Sequence, residues 1–301
     1  MTQRIALATA AEFPDLDEDG SLLLGALSRV GLHAEPAVWT DEGVGWSSYD
    51  AVVVRSTWDY FYRRDEFLQW ADRVAEVTRL ANSADVLRWN TDKTYLRELA
   101  EAGLPVVETT WLHPGDEFAV PVDGEYVVKP AVSAGSNDTN RYVGGTHDAI
   151  AAEHASRLLT EGRVVMVQPY LDQVDSAGET ALLFFAGKFS HAIRKAALLT
   201  PAMAELDAAY RPETISVRQP SAAERDTAEQ VLDTVAALRR WPREQFTYAR
   251  VDLVPGPDST PTLIELELAE PSMFLVHDPP AADRFAAAIT DLVAPQSPGT
   301  E

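Results

Sequence analysis

Tyr248-Ala249-Arg250-Val251-Asp252-Leu253-Val254 and Leu263-Ile264-Glu265-Leu266-Glu267-Leu268, joined by Pro255-Gly256-Pro257-Asp258-Ser259-Thr260-Pro261, are two alternating runs and a turn. Successive side chains of a strand point to opposite faces. The first run therefore puts Arg250 and Asp252 on one face and Ala249, Val251 and Leu253 on the other. The second groups Glu265 with Glu267, backed by Ile264, Leu266 and Leu268. The turn between them predicts a hairpin centred near Asp258 and Ser259, which sets Asp252 opposite Glu265. Three carboxylates and an arginine then share one face. Carboxylates that close repel one another unless positive charge sits among them. An all-oxygen donor set suits a hard cation such as Mg²⁺. A solvated outer face of an antiparallel sheet has the same alternation, so the hairpin alone leaves both readings open.

Composition narrows the classes. The chain has 301 residues, with 46% hydrophobic and 24% charged side chains. That is ordinary for a globular protein and long enough for more than one core. Acids outnumber bases 47 to 25, a net charge of −22, which argues against a nucleic-acid or anionic-membrane partner. The absence of cysteine excludes disulfides, thiolate catalysis and Cys-ligated metal centres. No apolar run reaches the length of a membrane span. The start, Met1 to Leu7, runs into Glu12 and Asp15, unlike a secretory leader, so a cytoplasmic protein is expected. The histidines lack zinc-ligand spacing and no Gly-x-Ser-x-Gly elbow occurs.

The first third of the chain reads as alternating strands and helices. Strands are expected at Arg4 to Ala8, Ala34 to Trp39 and Ala51 to Val54, with helices at Leu22 to Val30 and Arg64 to Val77. That spacing predicts a parallel sheet with covering helices. A helix is expected from Asn90 or Thr91 to about Glu101, carrying Lys93 in its first turn. Beyond it the pattern becomes mixed and largely antiparallel. Strands are expected at Val106 to Thr110, Tyr126 to Lys129 and Val164 to Gln168, a hairpin around Gly187, and helices at His147 to Leu159, Ala222 to Leu238 and Ala281 to Val293. The expected division is an N-terminal α/β lobe over residues 1–90, a central subdomain over 91–168, a C-terminal subdomain over 169–294, and a disordered tail over 295–301.

The segment Tyr126-Val127-Val128-Lys129-Pro130-Ala131-Val132-Ser133-Ala134-Gly135-Ser136 runs an apolar strand into a lysine and then a small-residue loop. Small residues let backbone N–H groups approach phosphate oxygens, and lysine supplies a point charge. Neither the Walker A nor the Gly-x-Gly-x-x-Gly spacing is present. An ordinary strand-to-loop turn is the alternative. Val164 to Leu171 leaves a sheet at Pro169, either as an inter-lobe crossing or with its backbone beside an adenine edge. Arg194 and Lys195 form a basic pair in a chain this acidic.

In order, these are Lys93, Val127-Val128-Lys129-Pro130 with its loop, Gln168-Pro169-Tyr170-Leu171, Gly178-Glu179-Thr180, Arg194-Lys195, Arg250-x-Asp252 and Glu265-x-Glu267. The series resembles the ATP-grasp superfamily of carboxylate–amine ligases, which includes D-alanine–D-alanine ligase and glutathione synthetase. The resemblance implies an ATP-grasp fold of mixed α/β and α+β lobes, with ATP and two Mg²⁺ ions, or Mn²⁺, as cofactors. By position it implies that Lys93 and Lys129 hold ATP phosphates under a lid of Ser133, Gly135 and Ser136. Gln168, Tyr170 and Leu171 would line the adenine pocket, with Asp175 at the ribose. Arg194, Lys195 and Arg250 would meet the transferring group, and Asp252, Glu265 and Glu267 would hold the metals. Glu267 is a departure, because several relatives carry asparagine there.

The chain is also similar to an actinobacterial group of ATP-grasp proteins that includes D-cycloserine synthetase. The residues concerned are Ile5-Ala6-Leu7-Ala8-Thr9, Val54-Arg55-Ser56-Thr57-Trp58-Asp59-Tyr60, Arg88-Trp89-Asn90-Thr91-Asp92-Lys93 and Glu265-Leu266-Glu267-Leu268. The resemblance implies activation of a small-molecule carboxylate as an acyl phosphate, then C–N bond formation. That could be ring closure of O-ureido-D-serine or an intermolecular ligation of the glutathione synthetase type. A kinase that stops at phosphoryl transfer and a non-catalytic nucleotide-binding module are the rival classes. The substrate is expected at the ends of the N-terminal strands, with Arg55 on a carboxylate, an acid such as Glu12 on an ammonium, and Ser56 and Asp59 nearby. An Arg55–Asp59 surface ion pair is the bland alternative. A homo-oligomer is compatible with this reading.

Overall fold

The computed structural model describes residues 2–199 and 214–294. The tail from Pro295, expected to be disordered, lies outside the described residues.

Strands β1 (Arg4–Thr9), β2 (His33–Val38), β3 (Ala51–Val54) and β4 (Arg79–Ala81) form a parallel sheet in the order β2-β1-β3-β4. β1 and β3 are apolar along their length because helices cover both faces. On one face, Ile5, Leu7 and Val53 pack with Leu23 and Leu27 of α1 (Gly20–Arg29) and with residues from the end of the chain, Phe285 and Ile289. On the other, Ala6, Ala8, Val52 and Val54 pack with Phe67, Trp70 and Val74 of α2 (Arg64–Val77).

The helix expected from Asn90 or Thr91 to about Glu101 begins later, at Tyr95, and a separate short helix ends at Asn90. α3 (Ala84–Asn90) starts at Ser83, whose side chain accepts from the Val86 N–H, and α4 (Tyr95–Glu101) follows after a turn. Asp92 Oδ1 accepts from the Thr94 N–H at 3.0 Å, a side-chain turn that interrupts the helix. Lys93 therefore precedes α4 rather than opposing its dipole, and its N–H donates to Ala131 O at 2.9 Å.

The middle of the chain forms an antiparallel sheet in the order β5-β8-β6-β7, from β5 (Thr110–Leu112), β6 (Glu125–Pro130), β7 (Asn140–Val143) and β8 (Val165–Pro169). α5 (Asp148–Thr160) covers one face through Tyr126, Val128, Tyr142, Val165 and Val167. The alternate residues Val127, Lys129, Arg141, Met166 and Gln168 occupy the other face.

After α6 (Gln173–Ala177), strands β9 (Glu179–Phe185), β10 (Lys188–Lys195), β11 (Ile215–Val217), β12 (Tyr248–Pro255) and β13 (Pro261–Glu267) form a five-stranded antiparallel sheet, ordered β11-β10-β9-β12-β13. α7 (Ala222–Arg239) opens with a reciprocal capping box between Ser221 and Glu224. α8 (Ala281–Val293) closes the described chain on the first sheet.

The hairpin of β12 and β13 sets Asp252 opposite Glu265 and Arg250 opposite Glu267. It reaches that register through a bulge. Leu253 pairs with Leu263, but Asp252 pairs with Glu265, leaving Ile264 over. Without the extra residue Ile264 would face Asp252, and both glutamates would turn to the apolar face. Ile264 is accordingly half-buried, and Leu263 takes the core place expected of it.

β13 is an edge strand, and an edge leaves a row of backbone groups without ladder partners. Side chains supply them here. Asn90 donates Nδ2 to Leu266 O at 2.8 Å and accepts the Leu268 N–H on Oδ1 at 2.5 Å. The Tyr95 hydroxyl donates to Leu266 O at 2.7 Å and accepts its N–H at 2.9 Å. Leu263 bonds with Pro105 O at 2.7 Å and the Val107 N–H at 3.1 Å, within the stretch at Val106 to Thr110 where a strand was expected. Asn82, next after β4, donates Nδ2 to Tyr248 O at 2.9 Å and Leu268 O at 2.8 Å. The carboxylate hairpin is thus bolted to three earlier segments of the chain, at Asn82, at Asn90 and Tyr95, and at Pro105 and Val107. Replacing Asn90 by alanine leaves the Leu268 N–H buried without its acceptor, so Asn90→Ala should lose roughly 2–4 kcal/mol of stability in urea unfolding.

Candidate active site

Carboxylate oxygens of Asp252, Glu265 and Glu267 lie within 4.8 Å of one another. Each carboxylate also meets a cation. Arg250 bonds Asp252 through Nε to Oδ1 and Nη2 to Oδ2, both at 2.9 Å, and its Nη2 also bonds Glu267. Lys195 Nζ lies 2.7 Å from Asp252 and 2.5 Å from Glu179. Lys93 Nζ lies 3.1 Å from Glu265 and donates to Ser133 O at 2.8 Å.

These contacts divide the protons unevenly. Burial opposes ionisation of Asp252, but Arg250 and Lys195 outweigh it and hold the carboxyl well below the usual range. Burial likewise opposes ionisation of Glu265, and Lys93 and Lys129 overcome it. Burial pushes Glu267 up to about 8; Arg250 opposes the rise, and Glu265 and Asp252 add to it. A carboxylate driven toward its neutral form between two anions is what a set shaped for an intervening dication shows without one. The donor set therefore fits Mg²⁺.

The opposite wall carries an unmatched positive charge. Lys129 is buried on the open face of the central sheet, with no hydrogen bond or ion pair among the described residues. Burial pushes its ammonium down to about 8, with Glu265 opposing and Lys93 reinforcing the shift. A buried amine without a partner fits an anionic ligand. Beside it, the loop after β6 turns through left-handed conformations at Gly135 (φ 59°) and Ser136 (φ 58°). Asp138 ties its far end to Arg157 at 2.6 Å and Arg163 at 2.5 Å. Val132 and Ala134 lean on the core of the N-terminal sheet, and Ser133 is buried beneath them.

Further along the same sheet face, Gln168 is buried and donates to Thr109 Oγ1 at 2.9 Å. Leu171 is half-buried. The Tyr170 hydroxyl donates to Asp175 at 2.6 Å. Arg141 lies over the Tyr170 ring, 3.5 Å from its centre, and bonds both Asp175 and Glu125. Asp175, read from the sequence as open for a ribose, is therefore already engaged on two sides.

Several expected members do not join. Arg194 was paired with Lys195, but neighbours on a strand face opposite ways. Its guanidinium donates to Ala177 O at 2.5 Å and Ser176 O at 2.9 Å, away from the carboxylates. Arg55 is buried rather than exposed, donates to Pro271 O at 3.2 Å and lies 3.6 Å from Asp17. The Arg55–Asp59 ion pair does not form, because Asp59 accepts from Trp39 Nε1 at 2.8 Å and Arg63 at 2.5 Å. Ser56 bonds Thr9 Oγ1 inside the lobe at 2.8 Å. Glu12 is exposed and has no polar partner among the described residues.

Three residues not singled out for the site belong beside it. Glu179 shares Lys195 with Asp252, and burial pushes it up to about 7 against the pull of Lys195. Its place was readable, since a hairpin around Gly187 sets Glu179 near Lys195. Arg141 and Glu270 gave no local signal. Arg141 is an ordinary strand arginine in sequence, and Glu270 falls beyond the alternating run.

An α/β lobe followed by two antiparallel sheets, with a buried lysine facing a carboxylate triad, is the arrangement of an ATP-grasp ligase. The fold is shared with D-alanine–D-alanine ligase from Bacillus anthracis solved with ATP (TM-score 0.65, 12% identity, 97% of both chains). It is shared too with the ATP-grasp ligase PsnB solved with Mg and ADP (TM-score 0.63, 17% identity, 98% of this chain and 100% of that one). Residues 5–82 match the family described as D-cycloserine synthetase DcsG, N-terminal domain. The cycloserine biosynthesis protein DcsG of Streptomyces lavendulae is 39% identical across 97% of this chain and 99% of its own length. The crystal structure of D-cycloserine synthetase DcsG superposes with a TM-score of 0.87 at 37% identity, over 97% of this chain and all of that one. The chain belongs to the D-cycloserine synthetase family of ATP-grasp ligases, and it is an ATP-dependent enzyme forming C–N bonds. Among the described residues no helix is long and apolar enough to cross a membrane.

Lys129 makes the ligand-free protein less stable. Below about 8 its ammonium is charged in both folded and unfolded chains, and the burial penalty is fully present; as pH rises from about 8 to 10.5 the folded chain is neutral while the unfolded one still binds a proton, so the penalty fades. Lys129→Met should therefore gain roughly 1–3 kcal/mol at pH 7 without nucleotide. The gain should shrink above pH 8, as read from urea unfolding across pH.

Proposed function

We propose that this enzyme closes O-ureido-D-serine to D-cycloserine at the expense of ATP. The observation that carries the reading is the buried, unpartnered Lys129 facing the Asp252–Glu265–Glu267 set, in a chain 39% identical to DcsG. Lys93 and Lys129 receive the outer phosphates. Asp252, Glu265 and Glu267 hold two Mg²⁺ ions, with Mn²⁺ as a substitute; when bound, the metal neutralises triphosphate charge so that a carboxylate can approach the γ-phosphorus. Arg250, fixed by Asp252, meets the equatorial oxygens of the transferring phosphoryl group. Lys195 stands on the other side of Asp252 with the same sign. Ser133, Gly135 and Ser136 cover the phosphates and keep water from the acyl phosphate. Gln168, Tyr170 and Leu171 border the adenine, with the Arg141–Asp175 pair at the outer rim.

The substrate carboxylate attacks the γ-phosphorus and ADP leaves. The oxygen-bound nitrogen then attacks the acyl carbon, phosphate leaves and the five-membered ring closes. Water removes the carbamoyl group as carbamate. The residues of the site hold the two ends of the chain within reach, which is most of what ring closure requires.

ADP release measured with O-ureido-D-serine, together with mass spectrometry of the product, tests the reaction. D-Cycloserine should accumulate with one ADP per turnover, and ADP formed only when a second amine is added would replace ring closure by intermolecular ligation. Asp252→Asn should lower ADP release by roughly 10²–10³. Equilibrium metal titration with a non-hydrolysable ATP analogue should show two Mg²⁺ per chain in the wild type and fewer in this variant.

A further inference from the structure

We propose that Glu270 is the anchor for the α-ammonium group of the substrate, an inference that rests on the ligase reading above and names how that site recognises an amino acid. Glu270 lies just past β13, where the chain leaves the metal-facing strand and enters the N-terminal lobe. Its backbone is held from that lobe: Trp58 Nε1 donates to Glu270 O at 2.9 Å, and Arg55 Nη1 donates to Pro271 O at 3.2 Å. The side chain is 8% exposed, and Oε2 is buried with no hydrogen-bond partner.

The neighbours do not supply one. Lys93 is the cation that acts most strongly on this carboxyl, but its ammonium is directed to Ser133 O and Glu265. Arg250 is engaged by Asp252 and Glu267, and Lys195 by Asp252 and Glu179. The Tyr60 hydroxyl stands beside the carboxyl and favours its charged form. Burial still pushes Glu270 up to about 7. A buried carboxylate oxygen without a donor is costly, and the cost is removed when a cationic donor arrives with a ligand.

The chemistry of that donor follows from position. Glu270 feels both Lys93 and Glu265, so it lies at the phosphate-and-metal end of the site, where the reacting carboxylate must be. In an α-amino acid the ammonium is one carbon from the carboxylate. A molecule that presents its carboxylate to the γ-phosphorus therefore carries its ammonium within reach of the adjacent wall. The Trp58 ring, packed edge-on against Phe13 with centroids 5.0 Å apart, and the buried Tyr60 complete that wall. Glu12, expected from the sequence to take this role, is exposed to solvent instead.

Calorimetric titration tests the assignment on wild type and Glu270→Gln, each saturated with Mg²⁺ and a non-hydrolysable ATP analogue. The ligands are O-ureido-D-serine, D-serine and D-alanine, each paired with its deaminated counterpart. The wild type should prefer the amino compound by roughly 10- to 100-fold. Glu270→Gln should lose that preference while binding the ATP analogue as the wild type does, which shows that the phosphate side is intact. No preference in the wild type, or the same preference in the variant, overturns the assignment. If O-ureido-D-serine is refused but another amino acid of the series binds, the proposed reaction fails and Glu270 is judged on that amino acid and its counterpart. If none binds, both readings fall.

Discussion

Asp252, Glu265 and Glu267 are confined to one face of a hairpin, and their mutual repulsion governs the rest of the structure. A charged cluster this close is stable only if every carboxylate meets a cation or surrenders its charge. Arg250 and Lys195 settle Asp252, Lys93 settles Glu265, and Glu267 yields by moving toward its neutral form. The cations come from three places in the chain: β12 itself, β10, and the turn before α4. The electrostatics therefore require three distant segments to converge. They also leave a set of oxygens whose remaining demand is for a metal rather than for another side chain.

The same convergence explains the unusual treatment of β13. An edge strand that carries two clustered glutamates cannot slip without losing the cluster, because a one-residue shift moves both glutamates to the apolar face. The Ile264 bulge sets the register, and Asn90, Tyr95 and Asn82 lock it from outside the sheet. Asn90 and Tyr95 lie on the two helices that flank Lys93. The bonds that steady the carboxylates thus also set their distance from the lysine that faces them. Beyond the strand, Asp19 accepts from the Met273 and Val276 N–H groups, His191 bonds Met273 O and Arg250 reaches Ser272 O. The segment after β13 is thereby held by Asp19 from the N-terminal lobe and by His191 and Arg250 from the C-terminal sheet. Burial, reinforced by Asp17, pushes the Asp19 carboxyl up to about 6, and the hydrogen bonds from this segment oppose the rise.

Much of this was legible in the chain itself, for identifiable reasons. The parallel sheet shows in the apolar runs of β1 and β3. The hairpin register shows in the two-residue alternation of Arg250, Asp252, Glu265 and Glu267, because period-two patterning survives any tertiary context that buries one face. Features set by contacts between distant segments were not legible. The anchoring of β13 by Asn90 depends on segments far apart in sequence, and the bulge at Ile264 leaves no compositional mark. Arg194 failed for a reason available in advance, since two adjacent strand residues cannot both face one site. Arg55 failed for one that was not: its burial comes from α8 and the 271–277 segment, more than two hundred residues away in sequence.

The split between legible and hidden residues follows the split in function. The residues proposed for phosphate and metal carry strong local signals, a lysine at the end of an apolar strand and carboxylates alternating along another. Such groups must be ionic and must sit on rigid elements to act on a triphosphate. The proposed substrate contact falls where the N-terminal lobe meets the segment following β13, near Trp58, Tyr60 and Glu270. Glu270 reaches Trp58 only through a contact between segments far apart in sequence. Relatives sharing the phosphate site can thus differ in substrate by altering contacts between lobes while every phosphate ligand stays in place.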